Sequence, residues 1–191
     1  SREIAERSAT NVLPGLPDLH AAVRSVKLID TKVPYRIGYA SARAAREAWK
    51  IGEDRSVGGA AGLARLCGGT RAFSSSEAAG GGVRGFQAHG DTSPVVVVRD
   101  EEPSSTLFLM ARAIGDYGWF GSREAPIIDR HTNRQALGRA FAAELLAPAA
   151  GVIQMVEDEE RSFGEVAAHY GVQAMVVRHQ YDNAREAAQL R

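Results

Sequence analysis

Over residues 34–49 the apolar positions Ile37, Ala40, Ala44, Ala45 and Ala48 recur at helical spacing between Arg36, Arg43, Arg46 and Glu47. That period gathers the apolar side chains on one face and predicts an amphipathic helix, with Pro34 suited to the first turn, where an amide hydrogen has no helical partner. Residues 58–66 repeat the pattern in shorter form, with Ala61, Leu63, Ala64 and Leu66 ahead of a Gly68-Gly69 stop. Upstream, Leu13-Pro14-Gly15-Leu16-Pro17 breaks regular structure. Asp18 is then the expected N-cap of a short helix reaching about residue 29. Residues 1–33 therefore read as a linker or docking arm.

Between residues 70 and 100 the pattern shortens to strand-like segments at 71–74, 83–89 and 94–99, with Gly80-Gly81-Gly82 and Gly90-Asp91 as the turns. Residues 95–98 are four consecutive valines, too few for a helix and too apolar for a strand facing water. They predict a central strand in a small sheet. These glycine runs and Gly58-Gly59 lack the lysine and hydroxyl context of a phosphate loop, and Ser74-Ser75-Ser76 has no nucleophile elbow around it.

Helical periodicity returns after Pro103, with Ser104 or Ser105 as the expected cap of a helix through Tyr117. Residues 134–146 place Leu137, Ala140, Phe141, Glu144 and Leu145 along one side and stop before Pro148. Ser162-Phe163-Gly164-Glu165 has the form of a capping box, Gly171 of a stop, and 174–188 of a last helix. The result is a helix-turn-helix-shaped pair over 161–191. Its second helix carries Arg178, His179 and Gln180, residue types that contact phosphates or base edges. Val176, Val177 and Tyr181 make an equally good core stripe, however, and Glu157, Asp158, Glu159 and Glu160 place negative charge just upstream. A packing unit is the expected role.

The 191 residues are enough for one core without staples, and 23 basic against 23 acidic residues exclude a global field for nucleic acid or an anionic membrane. The longest apolar runs, 94–98 and 106–111, are far short of a bilayer span. The N-terminus lacks a basic-then-apolar signal pattern. Cys67 is the single cysteine and has no partner within the chain. Together these features predict a cytoplasmic protein with no membrane partner. The start at Ser1 suggests a piece of a longer chain.

At Leu107-Phe108-Leu109-Met110-Ala111-Arg112-Ala113-Ile114-Gly115-Asp116-Tyr117, followed by residues 134–148, the chain resembles the ImmA/IrrE family of zinc peptidase-like proteins. In that family a helix with A-H-E-L-G-H precedes one reading E-x-E-A-N-x-F-A-A-E-L-L-M-P, and Phe141-Ala142-Ala143-Glu144-Leu145-Leu146-Ala147-Pro148 follows the tail of the second. The valine-rich strand, the helix at 34–49 and Glu165-Val166-Ala167-Ala168-His169-Tyr170-Gly171 extend the resemblance over about residues 34–185. It implies an α+β fold: a zincin-like helical domain over 34–160 with a small β-sheet, and the pair at 161–191 packed on it.

The chemistry of that family is where the match fails. A zinc peptidase needs two histidines four residues apart on one helix face and a glutamate between them as general base. Here Arg112 and Asp116 stand at the two histidine positions and Ala113 at the glutamate. An arginine offers no lone pair and an alanine cannot take a proton from water. The carboxylate ligand expected on the second helix falls near Gln135 or Leu137, and neither is acidic. Arg112 and Asp116 are four apart, so an ion pair between them is expected where the metal would sit.

The resemblance then implies a pseudopeptidase with no cofactor: a regulatory or sensor domain of a transcriptional, stress or mobile-element circuit. Its former active-site cleft, with Arg112, Asp116, Gln135 and Arg139, would bind a peptide segment or small effector. A regulator protein or a fused DNA-binding domain outside this chain would be the partner, and a homodimer is a further expectation. The alternative is an active metallohydrolase with unorthodox ligands around Asp116 and His131. The five histidines otherwise show no ligand spacing on one element.

Overall fold

A computed structural model describes residues 13–25, 33–69, 74–75, 83–89, 94–99, 101–121 and 124–189. Its helices are α1 (Leu16–Arg24), α2 (Pro34–Ala48), α3 (Gly59–Leu66), α4 (Pro103–Phe120), α5 (Asn133–Leu146), α6 (Ala149–Ile153), α7 (Phe163–Tyr170) and α8 (Ala174–Gln189), and its strands β1 (Ser74–Ser75), β2 (Val83–His89), β3 (Pro94–Arg99) and β4 (Glu124–Ile128). The mixture of helix and sheet agrees with the α+β expectation. A π-helical turn, Gln154–Asp158, continues α6.

The strand order is β1-β3-β2-β4. β2 runs antiparallel to both β3 and β4, while the two residues of β1 pair parallel to β3. Val96, Val97 and Val98 are buried in this interior strand, as four apolar residues in a row require. β4 was not legible in the sequence: it is five residues long and contains Pro126, which an edge strand tolerates because one side of its ladder is unpaired.

α4 is the axis of the core. Leu107, Leu109, Met110, Ala111, Ala113 and Ile114 are all buried along it, and its two ends are fixed by local chemistry. The side chain of Glu102, rather than a serine, caps the start by accepting from the amides of Ser104 and Ser105. The helix runs to Phe120, three residues beyond the predicted end, and Gly121 stops it at φ +58°, in a left-handed conformation that glycine adopts without steric cost. α5 crosses α4 where Gly115 lies so close to Phe141 that an added Cβ would stand 2.3 Å from the ring. On its other side α5 meets α2 at Gly38, whose added Cβ would lie 2.5 Å from the carbonyl oxygen of Leu137.

Residues 13–25 correct the reading of a linker or docking arm. α1 starts after Gly15, carries Asp18 inside its first turn rather than at its cap, and ends at Arg24. Leu13, Leu16, Leu19 and Val23 are fully or almost fully buried and belong to the core. The amides of Leu13 and Gly15 donate to the carbonyls of Pro94 and Cys67 at 2.9 and 2.8 Å. The proline and glycine breaks set the entry angle of a packed helix instead of releasing it. The rest of the 1–33 reading, the strand at 71–73 and the turns at Gly80-Gly81-Gly82 and Gly90-Asp91 lie outside the described residues.

The terminal pair forms as the capping signals predict. Ser162 and Glu165 exchange both capping-box bonds, and Gly171 ends α7 at φ +71°. Gln180 is buried, donating to Glu144 at 2.7 Å and to the Ala147 carbonyl at 3.0 Å, so it anchors α8 on α5 and is withdrawn from any nucleic acid. No single helix among the described residues is long and apolar enough to cross a membrane.

Candidate functional site

The helical period of α4 sends Arg112 and Asp116 toward α5 and the end of β4, and both are buried. Their expected mutual ion pair is replaced by two separate arrangements. Arg112 donates through Nη2 to the Ile128 carbonyl at 2.7 Å and to Gln135 Oε1 at 2.9 Å, and through Nη1 to Asp129 Oδ1 at 3.3 Å. Asp116 accepts from Arg134 Nε at 2.6 Å and Nη2 at 2.5 Å. The reason is reach. The long guanidinium of Arg112 extends to the carbonyl that ends β4, while the short Asp116 side chain is met by an arginine in the first turn of α5. Thr132 fixes that turn by accepting the Gln135 amide at 3.2 Å.

Gln135 also holds β4 in place, donating to the Pro126 carbonyl and accepting from the Ile128 amide at 3.3 and 3.4 Å. Asp129 is shared, since Arg84 on β2 donates to its second oxygen at 3.2 Å and pairs with Glu101 as well. Burial lowers the Arg112 pKa most, an effect the Asp129 carboxylate opposes and the nearby Arg139 and Arg84 reinforce. Partial burial would raise Asp129, but hydrogen bonds from Arg84 and Arg112 outweigh it and hold this carboxyl below its ordinary value. Arg134 also lies over the Phe120 ring, 4.5 Å from its centre.

Of the site residues read from the sequence, Arg112 and Gln135 touch directly, Arg139 is half-buried and close enough to act on Arg112 electrostatically, and Asp116 belongs to a separate ion pair. Ala113 is buried among apolar neighbours. His131 is exposed, and among the described residues no group of three or more His, Cys, Asp or Glu side chains is arranged to hold a metal ion. These residues do not fit a zinc ion. The Arg112 guanidinium has no lone pair, the Gln135 oxygen already accepts two hydrogen bonds, and both Asp116 oxygens face Arg134. Glu144, predicted on the same side of α5, is a buried anchor that accepts from Arg43, Ala149 and Gln180.

Arg84, Glu101, Asp129 and Arg134 were missed by sequence reasoning. Each reaches the site from another element at a separation that no local spacing encodes. Beside Arg112 lies a cavity of about 190 Å³ between α4 and the α7–α8 turn, walled by Phe108, Leu109, Val172 and Val176 and by the polar Arg84 and Gln173. No protein-family model matches the chain, and neither does any curated protein.

Proposed function

We propose that this protein is a catalytically inactive, peptidase-like sensor domain that binds a peptide segment or small effector beside its former active-site cleft. The observation that carries the reading is the polar filling between α4 and α5. Arg112 and Asp116, at the positions where the resemblance expects zinc ligands, are each committed to hydrogen bonds with residues of β4 and α5. Ala113 replaces the general base with a methyl group. What remains chemically is recognition, because the cleft offers donors, acceptors and an apolar wall without a nucleophile-generating group. The cavity beside Arg112 supports a ligand role, since α4 and the terminal helix pair both form its walls and occupancy is felt by both. A regulatory place in a transcriptional, stress or mobile-element circuit, with a regulator protein or a fused DNA-binding domain as partner, is the reading that goes with the resemblance.

The test is incubation of the protein with a mixed peptide library and added zinc, read by mass spectrometry for cleavage and by melting temperature for binding. The expected result is no cleavage and a saturable rise in Tm with a subset of peptides. Chelator-sensitive cleavage would overturn the inactive reading. Intact peptides with no Tm change from any member would overturn the sensor reading.

A further inference from the structure

We infer that Gln135 and Arg112 form an autoinhibitory guard on the sheet, holding within one chain the backbone groups that a second copy would use to pair with β4. β4 stands at the end of the order β1-β3-β2-β4, with β2 on one side and no strand on the other among the described residues. The amides and carbonyls of a strand lie in the plane of its sheet, so those turned away from β2 leave an edge that is a template for another chain. Here the side chains of two helices take them. Gln135 Nε2 donates to the Pro126 carbonyl at 3.3 Å, and the Ile128 amide donates to Gln135 Oε1 at 3.4 Å. One primary amide thus answers a carbonyl and an N–H two residues apart, as the backbone of a neighbouring strand does. Arg112 Nη2 donates to the Ile128 carbonyl at 2.7 Å, and Pro126 has no N–H to offer. Gln135 and Arg112 are both buried, so water competes little for these bonds.

The guarded groups are self-complementary about a two-fold axis. If two copies of β4 pair antiparallel with Ile127 opposite Ile127, Pro126 of each stands opposite Ile128 of the other. That register joins the Ile128 amide of each copy to the Pro126 carbonyl of the other, the same two groups that Gln135 occupies, and asks no N–H of either proline. In sequence, Glu124 then falls opposite Arg130 at both ends, and unlike charges meet. Ile127 and Ile128 are β-branched, which favours extended pairing once the edge is free. The occupant that Gln135 excludes is therefore another copy of this chain. This holds whether or not the cavity beside Arg112 takes a ligand.

Sedimentation velocity and amide exchange on the full chain test the guard. Gln135→Ala removes both bonds to β4 and should form a species of twice the wild-type mass, its share rising with concentration. In the dilute variant the Ile128 amide should exchange on the order of tenfold faster than in wild type, and in the concentrated variant it should be protected again. Gln135→Met, which loses the same bonds but keeps a side chain of similar length, should behave alike and serves if the alanine variant does not fold. Ile128→Pro, added to either variant, removes the amide that the two-fold pair requires while sparing the ladder to β2, and should restore the wild-type mass. Circular dichroism at each concentration confirms that the associating species is folded. A folded Gln135 variant that keeps the wild-type mass at every concentration would overturn the inference. So would association of folded protein that persists with Ile128→Pro, or a wild type whose Ile128 amide is protected only at high concentration.

Discussion

Asp116 on α4 receives both prongs of the Arg134 guanidinium from the first turn of α5, at 2.6 and 2.5 Å, with Asp116 almost fully buried and Arg134 about one-third exposed. The pair ties α4 to the first turn of α5. A bidentate fork gives this contact directional strength, and removing one member leaves the other's charge to be resolvated.

Arg134→Ala should therefore destabilise the fold by about 2–3 kcal/mol, less than a fully buried pair because water reaches the arginine. The double variant Asp116→Leu with Arg134→Leu should recover most of that loss. Urea denaturation of wild type and both variants checks this. A double variant as unstable as the single one would show that packing rather than the buried charge sets the cost.

Close helix approach predicts opposite outcomes at two glycines. A methyl group at Gly38 would stand 2.5 Å from the Leu137 carbonyl oxygen and 2.9 Å from the Phe141 amide nitrogen, backbone atoms that cannot turn aside. Gly38→Ala should cost about 3 kcal/mol. At Gly118 the added Cβ meets Leu19 and Val23 at an ordinary 3.6 Å, and Gly118→Ala should be neutral or stabilise by up to about 1 kcal/mol through helix propensity. In thermal melts Gly38→Ala should lower the midpoint and Gly118→Ala should leave it unchanged or raise it.

The helices and interior strand were readable because their signals are local. Pro34 at a helix start, the Ser162 capping box, the left-handed Gly171 and the valines of β3 each fix their element within a few residues. β4 was hidden by Pro126 and by its shortness, and the burial of α1 in the core by breaks that resemble a linker. The site was half readable. The period of α4 brings Arg112 and Asp116 to one side, but which charge answers each of them depends on β4 and the first turn of α5, elements placed by tertiary packing.

Cys67 is buried, and burial pushes its thiol up to about 12. At pH 8 the native protein should not react with a disulfide reagent over minutes, whereas urea-unfolded protein should release one equivalent of chromophore. Rapid reaction in the native state would place Cys67 in a region that opens readily.

The caps set the acid limit. Hydrogen bonds from the Ser104 side chain and amide lower the Glu102 pKa below its ordinary 4.5, and those from Ser162 lower Glu165 likewise. The unfolded chain therefore binds these protons more readily, and the contribution of the caps is complete above pH 4.5 and lost as pH falls through the lowered values. Urea midpoints should be level near neutrality and decline below about pH 5. Glu165→Gln should show a lower midpoint at pH 7 and a shallower decline on acidification.

Bound metal tests the central claim most directly. Elemental analysis of purified full chain, before and after incubation with zinc and gel filtration, should give far less than one zinc per protein in both samples, because Arg112 and Ala113 supply neither ligand nor base. One equivalent of zinc, removed by chelator and lost in Asp116→Ala, would contradict the account and favour a working metal site around Asp116 and His131.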